Sequence, residues 1–396
     1  MAQKKDVAFL IKFSAMPDNT SRRQWIQQTT LAALGLGFSF RTMGNEEGLP
    51  RIFSPENSLI NLGANENPYG ISPKAKQAIL DMIGESNRYQ FNVAGLEPFK
   101  KKLAAYYQFS EDHLLITPGS GDGLNLLARH FSKGNIVTAD ITFGILPNTA
   151  KKIGTKVIEV PLTKEKVHDL PAMMEAINSE TQLVYICNPA NPTATLLKPD
   201  ALKDFCTKVS PKTVVLVDEA YLDFPDAPYN ESMTGLIEKY PNVLVIKTFS
   251  KIHAMAGLRV GFMIGHPTMI SKLQPDYFQN SQLGVSNLSM AAAMASLTDE
   301  EHKKYSKQKN EAARNYTTGE MKKLGIDFIP SYTNFIFYPV KNYTGDYAAD
   351  MFDKHKIIIR SNKYADGQWA RVSVGTMDEM KQFIQIIGDP KNQMIF

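Results

Sequence analysis

The sequence predicts an α/β protein: a doubly wound, mostly parallel seven-stranded sheet followed by a smaller α+β domain. Three observations predict it. Seven short apolar runs, residues 114–117, 135–138, 156–161, 183–187, 214–217, 243–247 and 261–264, have the length and β-branched content of buried strands. Helical patterns such as 123–131, 170–177 and 199–208 lie between them, and strand–helix–strand alternation needs crossover connections, which leave neighbouring strands parallel. Beyond residue 290 the pattern changes to a long charged helix at 300–324, expected to face solvent, then strands at 334–338, 357–359 and 371–374 and a closing helix at 378–387.

In chain order this gives an N-terminal extension over 1–45, an arm over 46–74, a large domain over 75–290 and a small C-terminal domain over 291–396. The extension carries Ser21-Arg22-Arg23-Gln24-Trp25-Ile26, then an uncharged stretch to Phe40 that is most apolar from Leu31 onward. Basic residues followed by a short apolar stretch form the layout of an export signal, and paired arginines beside a serine resemble the twin-arginine type. The expectation is a periplasmic protein with Met16 as a second possible start; the alternative is a cytoplasmic protein whose N-terminal helix packs on the body. The apolar part is too short for a stable membrane span of about 20 residues.

At 396 residues, with 43% hydrophobic and 21% charged side chains, the chain has the composition of a folded globular protein. Its 44 basic and 40 acidic side chains are interspersed, and the net charge of +4 makes no case for a nucleic-acid partner. Two cysteines, Cys187 and Cys206, exclude a disulfide framework and form no metal site by themselves; they read as thiols filling core space, and no metal is expected. Small-molecule chemistry is what remains.

Ligands of open α/β sheets sit beyond the carboxyl ends of the strands, so the residues after each apolar run carry the functional reading. The first run is followed by Pro118-Gly119-Ser120-Gly121-Asp122-Gly123 and a helix, either a bare tight turn or a place where backbone N–H groups converge on a phosphate. It matches neither the ATP-type loop nor the dinucleotide fingerprint. Asn188-Pro189-Ala190-Asn191-Pro192-Thr193 follows the fourth run. Asp218-Glu219-Ala220-Tyr221 follows the fifth, and an aspartate there is a helix cap or a poorly solvated carboxylate wanting a cationic or N–H partner. After the sixth come Ser250-Lys251 and Gly257-Leu258-Arg259-Val260-Gly261, which suit a buried amine beside a bound dianion, although a lone lysine is more often a surface residue.

Together with Asn-Glu-Asn-Pro-Tyr-Gly at 65–70, Asn87-Arg88-Tyr89 and Arg371-Val372-Ser373-Val374-Gly375, these motifs stand in the order and spacing of a known family. From about residue 59 to about residue 389 the chain resembles the fold-type-I, pyridoxal-phosphate-dependent aminotransferases of class I/II, most closely the histidinol-phosphate aminotransferase group. The resemblance implies the fold-type-I architecture and pyridoxal 5'-phosphate as cofactor. Lys251 would carry the cofactor covalently and shuttle protons, Asp218 would pair with the ring nitrogen, and Tyr221 and Asn191 would bond the ring's phenolic oxygen. Arg259, Ser250 and the backbone of Ser120 and Gly121 would hold the phosphate, and Phe143 would stack on the ring. Tyr89 would reach the cofactor phosphate of a neighbouring subunit, implying a homodimer with shared active sites. Arg371 would grip the substrate carboxylate in a two-pronged bond, Arg360 would help hold a substrate phosphate, and Asn67 and Tyr69 would touch substrate.

The partners implied are a small-molecule amino donor and an oxo-acid acceptor, used in ping-pong order. Alternatives are an aromatic amino acid aminotransferase, or a decarboxylase or lyase of the same fold. A non-catalytic regulator is disfavoured because every catalytic position is filled. Three departures from the family pattern stand out: Ala194 where a glycine usually follows the threonine, Gly121-Asp122-Gly123 in the phosphate loop, and His253, which reads as a packing residue near the site.

Overall fold

The computed structural model describes residues 59–89, 96–280 and 284–389. The export signal expected within 1–45 and the first part of the arm fall outside them. Among the described residues no helix is long and apolar enough to cross a membrane.

The chain enters through β1 (Ile60–Asn61), α1 (Pro73–Met82) and α2 (Leu96–Tyr107). It then alternates through β2 (Leu114–Thr117), α3 (Ser120–His130), β3 (Asn135–Asp140), α4 (Ile145–Lys152), β4 (Lys156–Pro161), α5 (Leu170–Ala176), β5 (Thr181–Cys187), α6 (Pro199–Val209), β6 (Val214–Asp218), β7 (Val243–Thr248) and β8 (Gly261–Gly265). These strands form one seven-stranded sheet in the order β2-β8-β7-β6-β5-β3-β4, in which β8 runs antiparallel to both neighbours and the other pairs are parallel. Except in the edge strand β4, where Lys156, Glu159 and Pro161 are exposed, the apolar runs are continuous because both faces of the sheet are covered. Val184, Ile186, Val215 and Val217 enter one hydrophobic cluster, while the alternate residues Leu183, Tyr185, Cys187 and Leu216 enter another.

From β3 the chain steps outward to β4, then returns to β5 and moves the other way through β6 and β7. The order therefore reverses between β3 and β5, opening a crevice beyond their carboxyl ends. Phe143 follows β3 into that crevice and Asn191 follows β5.

Helices α7 (Pro267–Asn280), α8 (Asn287–Leu297) and α9 (Glu300–Lys323) lead to β9 (Phe335–Val340), α10 (Tyr347–His355), β10 (Ile357–Ile358), β11 (Arg360–Tyr364), β12 (Gly367–Ser373) and α11 (Met377–Ile387). Strands β11-β12-β9 make an antiparallel sheet, and β1 pairs in parallel with β10. Leu62 from the arm is buried among C-terminal residues including Ile336, Ile357, Val372 and Phe383. The N-terminal arm is thus part of the C-terminal layer.

Two expectations need correction. Helix α9 is not wholly solvent-faced: Ser306, Asn310, Ala313, Thr317 and Met321, spaced three and four apart, form a buried stripe, and its polar members hide that face from a hydrophobicity reading. Strand β11 was not expected at all. Its sequence, Arg-Ser-Asn-Lys-Tyr, is mostly exposed, so it lacks the apolar alternation that marks a half-buried strand.

Candidate active site

Close backbone packing builds the phosphate-sized end of the crevice. Gly119 turns the chain from β2 into α3 with φ +79°, and a Cβ there would lie 2.3 Å from Nη2 of Arg259. A Cβ on Gly261 would lie 2.4 Å from the backbone N of Ser120. Glycine is required at both positions, the first also by its left-handed backbone. Arg259 donates to the carbonyls of Ala256 (3.0 Å) and Pro118 (3.5 Å), which sets its guanidinium beside the start of α3. Because Gly119 caps α3 without a side-chain acceptor, no side-chain cap occupies the first-turn N–H groups. Ser120, Gly121, Thr248, Ser250 and Arg259 line one cavity there, a donor-rich set suited to a phosphate.

The same cavity also presents a carboxylate. Asp218 ends β6 at 1% exposure, accepting from the Tyr185 hydroxyl (3.1 Å) and the Ala220 N–H (3.1 Å). Burial pushes its pKa up to about 6 despite those two donors. Lys251 lines this cavity as well, and its Nζ donates to the carbonyls of Asn65 (3.2 Å) and Ala64 (3.4 Å). Burial first, and then the Arg371 charge, lower its pKa to about 8. Its ammonium lies 5.5 Å from the centre of the Tyr221 ring. The Tyr221 hydroxyl accepts from Asn65 Nδ2 (3.0 Å) and Asn191 Nδ2 (3.5 Å), which leaves its own proton to be donated to a ligand oxygen.

This inner cavity, about 190 Å³, opens into an outer one of about 460 Å³, and Phe143, Asn191 and Arg371 line both. Phosphate donors, a buried carboxylate, a lysine of lowered pKa, a phenol and an aromatic ring therefore surround one space. That set fits a flat, phosphorylated, nitrogen-containing aldehyde.

Residues 57–387 match the family described as Aminotransferase class I and II. The chain belongs to that family. Among its relatives, histidinol-phosphate aminotransferase 2 of Nitrosospira multiformis is 35% identical over 333 residues, covering 83% of each chain. The histidinol-phosphate aminotransferase of Halalkalibacterium halodurans is 32% identical over 336 residues, 84% of this chain and 89% of that one. A solved structure of a putative histidinol-phosphate aminotransferase from Erwinia carotovora atroseptica superposes with TM-score 0.80 at 30% identity, covering 87% of this chain and all of that one. The histidinol-phosphate aminotransferase of Sinorhizobium meliloti, solved with pyridoxal-5'-phosphate, shares the fold with TM-score 0.75 at 22% identity, covering 89% of this chain and 99% of that one. The protein is thus a fold-type-I, pyridoxal-phosphate-dependent aminotransferase resembling the histidinol-phosphate enzymes.

In this aminotransferase the outer cavity has an unusual charge arrangement. Arg360 and Arg371 are direct partners across the β11–β12 pairing, and both donate to the carbonyl oxygen of Gly63, at 3.4 Å and 2.8 Å. Arg371 also donates to Asn191 Oδ1 at 2.6 Å. Among the described residues neither guanidinium pairs with a carboxylate. Like charges placed opposite one another destabilise a strand pair.

Twelve of the fourteen residues singled out from sequence have a clear place. Lys251, Asp218, Tyr221, Ser120, Gly121, Phe143, Asn191, Ser250, Arg259 and Arg371 line the inner cavity, and Arg360 the outer one. Asn67 instead braces the lysine's own loop, donating to the carbonyls of Lys251 (3.3 Å) and Ile252 (3.1 Å). The other two lie away from both linings: Tyr69 packs edge-on against Tyr305, and Tyr89 is 70% exposed. His253 is buried against Phe249 and bonds Ser296 Oγ at 2.8 Å; burial lowers its pKa to about 4, so it packs as an uncharged ring.

Sequence reasoning missed Asn65, Tyr185 and Asn334. Asn65 stands in the same motif as Asn67, but only the backbone path decides which of the two turns inward. Asn334 Nδ2 donates to the Asn65 carbonyl at 3.0 Å and holds that path, a contact 269 residues apart with no local signature. At Ala194 the backbone is left-handed, φ +63°, which explains the glycine usual there; here the buried methyl packs with Tyr221 and Phe335 and offsets the strain.

Proposed function

We propose that this aminotransferase moves the amino group of histidinol phosphate to an oxo acid. The observation that carries the reading is the cross-strand pair Arg360 and Arg371, which lacks a protein carboxylate among the described residues. A donor phosphate would relieve their repulsion in one half-reaction, and a carboxylate of the oxo acid would do so in the other.

Pyridoxal 5'-phosphate supplies an aldehyde for the donor amine and a ring that accepts the electrons released at the donor Cα. The residues do the rest. Ser120, Gly121, Ser250 and Arg259 would hold its phosphate, and Phe143 would cover a ring face. Asp218, a buried carboxylate, would pair with the ring nitrogen, while Tyr221 and Asn191 would donate to the phenolic oxygen. Lys251 would anchor the group, and its Nζ, an amine with a pKa of about 8, would take the proton from the donor Cα.

The test compares Arg360→Ala with the parent on histidinol phosphate and on phenylalanine. Each lost charge-assisted bond is worth about 1.5–3 kcal/mol, so kcat/KM for the phosphorylated donor should fall by roughly ten-fold or more, with a smaller loss for phenylalanine. Equal losses, or a parent enzyme inactive on histidinol phosphate, would sink the reading. One observation favours a second reading, an aromatic amino acid donor: Phe337, Tyr364 and Trp369 form an aromatic wall of the outer cavity.

Further parts of the proposal rest on sequence and placement. Residues 75–290 and 291–396 act as large and small domains, which the separate hydrophobic cluster of the C-terminal layer supports. The exposure of Tyr89 supports a homodimer, since a second copy could present that ring to the phosphate end of the first. Arg22 and Arg23, ahead of an apolar stretch, support export to the periplasm. Residues 1–45 fused to a reporter active only outside the cytoplasm should lose that activity when both arginines become lysine; equal activity removes the twin-arginine reading, and a parent segment that gives no activity returns the protein to the cytoplasm.

A further inference from the structure

The hairpin of β11 and β12 carries most of the outer cavity's far wall: Arg360, Asn362, Tyr364, Trp369 and Arg371. Strand β12 pairs with β9 as far as Gln368, while β11 is the edge strand, and one residue of the large-sheet layer meets the hairpin at two points. Lys166, in the loop between β4 and α5, forms an ion pair with Asp366 at the tip, and its ammonium lies 4.9 Å from the centre of the Trp369 ring. The Trp369 ring also stacks on Phe337, centroids 4.8 Å apart and planes 13° from parallel. Although Asp366 is 47% exposed, the Lys166 side chain is only 14% exposed, so the contact is less screened than a surface ion pair.

The lysine's backbone is committed in the other direction. Its carbonyl accepts from Thr195 Oγ1 at 2.9 Å, and the Thr195 carbonyl accepts from the Ala190 N–H at 2.8 Å. Those bonds tie Lys166 to the loop that presents Asn191, which itself bonds Arg371 and Tyr221. Lys166 has φ +60°, a left-handed conformation that a lysine adopts at a cost and that these contacts on both sides sustain.

We propose that Lys166 is a positioning residue for substrate binding, a clamp that fixes the Trp369 wall and the arginine pair of the hairpin against the loop carrying Asn191. The idea rests on the outer cavity being the substrate cavity of this aminotransferase. It requires no particular donor. Apart from Asn191, whose loop is held by the lysine's backbone carbonyl and not by its side chain, the cofactor residues lie on other loops, so releasing the side-chain clamp should weaken substrate binding and leave cofactor binding alone.

The experiment uses the holoenzyme with Trp25→Phe, which leaves Trp369 as the sole tryptophan. In Lys166→Met, KM for donor and acceptor should rise about three- to ten-fold with kcat nearly unchanged, the scale of a partly buried cation–π contact together with an ion pair. Lys166→Arg should restore the parental KM, and Asp366→Asn should fall between. In Lys166→Ala the Trp369 emission should shift to the red and become more open to acrylamide quenching. Unchanged KM and emission overturn the clamp, as does a loss of cofactor affinity as large as the rise in KM. If histidinol phosphate proves not to be the donor, the fluorescence, the cofactor titration and KM for whichever donor works still decide the clamp.

Discussion

The hydroxyl of Tyr185 donates to the carboxylate of Asp218 across adjacent strands, with both side chains sealed from solvent. It is one of two donors to a group whose burial would otherwise favour the neutral acid, and with a pKa of about 6 the balance is close. A carboxylate so placed is ionised at neutral pH but incompletely compensated, which is the state that attracts a protonated ring nitrogen.

Tyr185→Phe should therefore weaken binding of pyridoxal phosphate by about ten-fold, the usual worth of a hydrogen bond to a charged group. It should also move the acid limb of binding to higher pH, because the carboxylate then ionises later. Titration of the apo-protein from pH 5 to 8 measures both. Parental affinity and profile in the variant would reduce Tyr185 to a core filler.

Lys251 gives a second pH signature. Its amine attacks only when neutral, and its lowered pKa means that covalent loading should accelerate with rising pH and level off above about 8. Arg371→Ala removes the second-largest cause of that lowering and should shift the rise to higher pH. Borohydride reduction and peptide mapping should find the pyridoxyl group on Lys251. Label on another lysine would undo the site.

Shared active sites would make Tyr89 act on the neighbouring subunit. Chains carrying Tyr89→Phe and chains carrying Lys251→Ala, each impaired alone, should then recover activity when mixed, since one site of the heterodimer keeps both parental residues. No recovery in confirmed heterodimers would assign each site to a single chain.

Both thiols should be inert in the folded protein. Burial pushes Cys206 up to about 12 and raises Cys187 well above its ordinary range, leaving almost no thiolate at neutral pH. An aromatic disulfide reagent at pH 8 should titrate neither until denaturant is added; rapid reaction of Cys187 would mean that the inner cavity opens further than its packing suggests.

Most of the large sheet was legible because its inner strands are buried on both faces, so each reads as an apolar run, and several residues of the inner cavity stand where a run ends; edge strand β4, with Lys156, Glu159 and Pro161 exposed, is the exception. Asp218, Ser250 and Lys251 were found in that way. What escaped has no such grammar. Strand β11 exposes most of its residues, Tyr185 looks like any core aromatic, and Asn334 acts through a carbonyl far away in sequence. The motif at 65–70 has the same limit, since it names Asn65 and Asn67 but not that Asn65 is the one to bond Tyr221 while Asn67 braces the lysine's loop.

The seating of Leu62 has a consequence for how the protein is made. The Leu62 N–H donates to Ile358 O (2.8 Å), and its carbonyl accepts from the Ser373 N–H (2.7 Å). A segment synthesised early thus waits for partners synthesised near the end, with the loop-closure entropy that such distant pairing costs. The seven-stranded sheet has all its strands by Gly265 and can gather on the ribosome. The arm that supplies Asn65 to Tyr221 and Gly63 to both arginines cannot settle until translation is nearly finished. Catalytic competence is therefore a late event in the protein's biogenesis, and a chain cut short before Ser373 would retain much of its architecture while lacking a finished site.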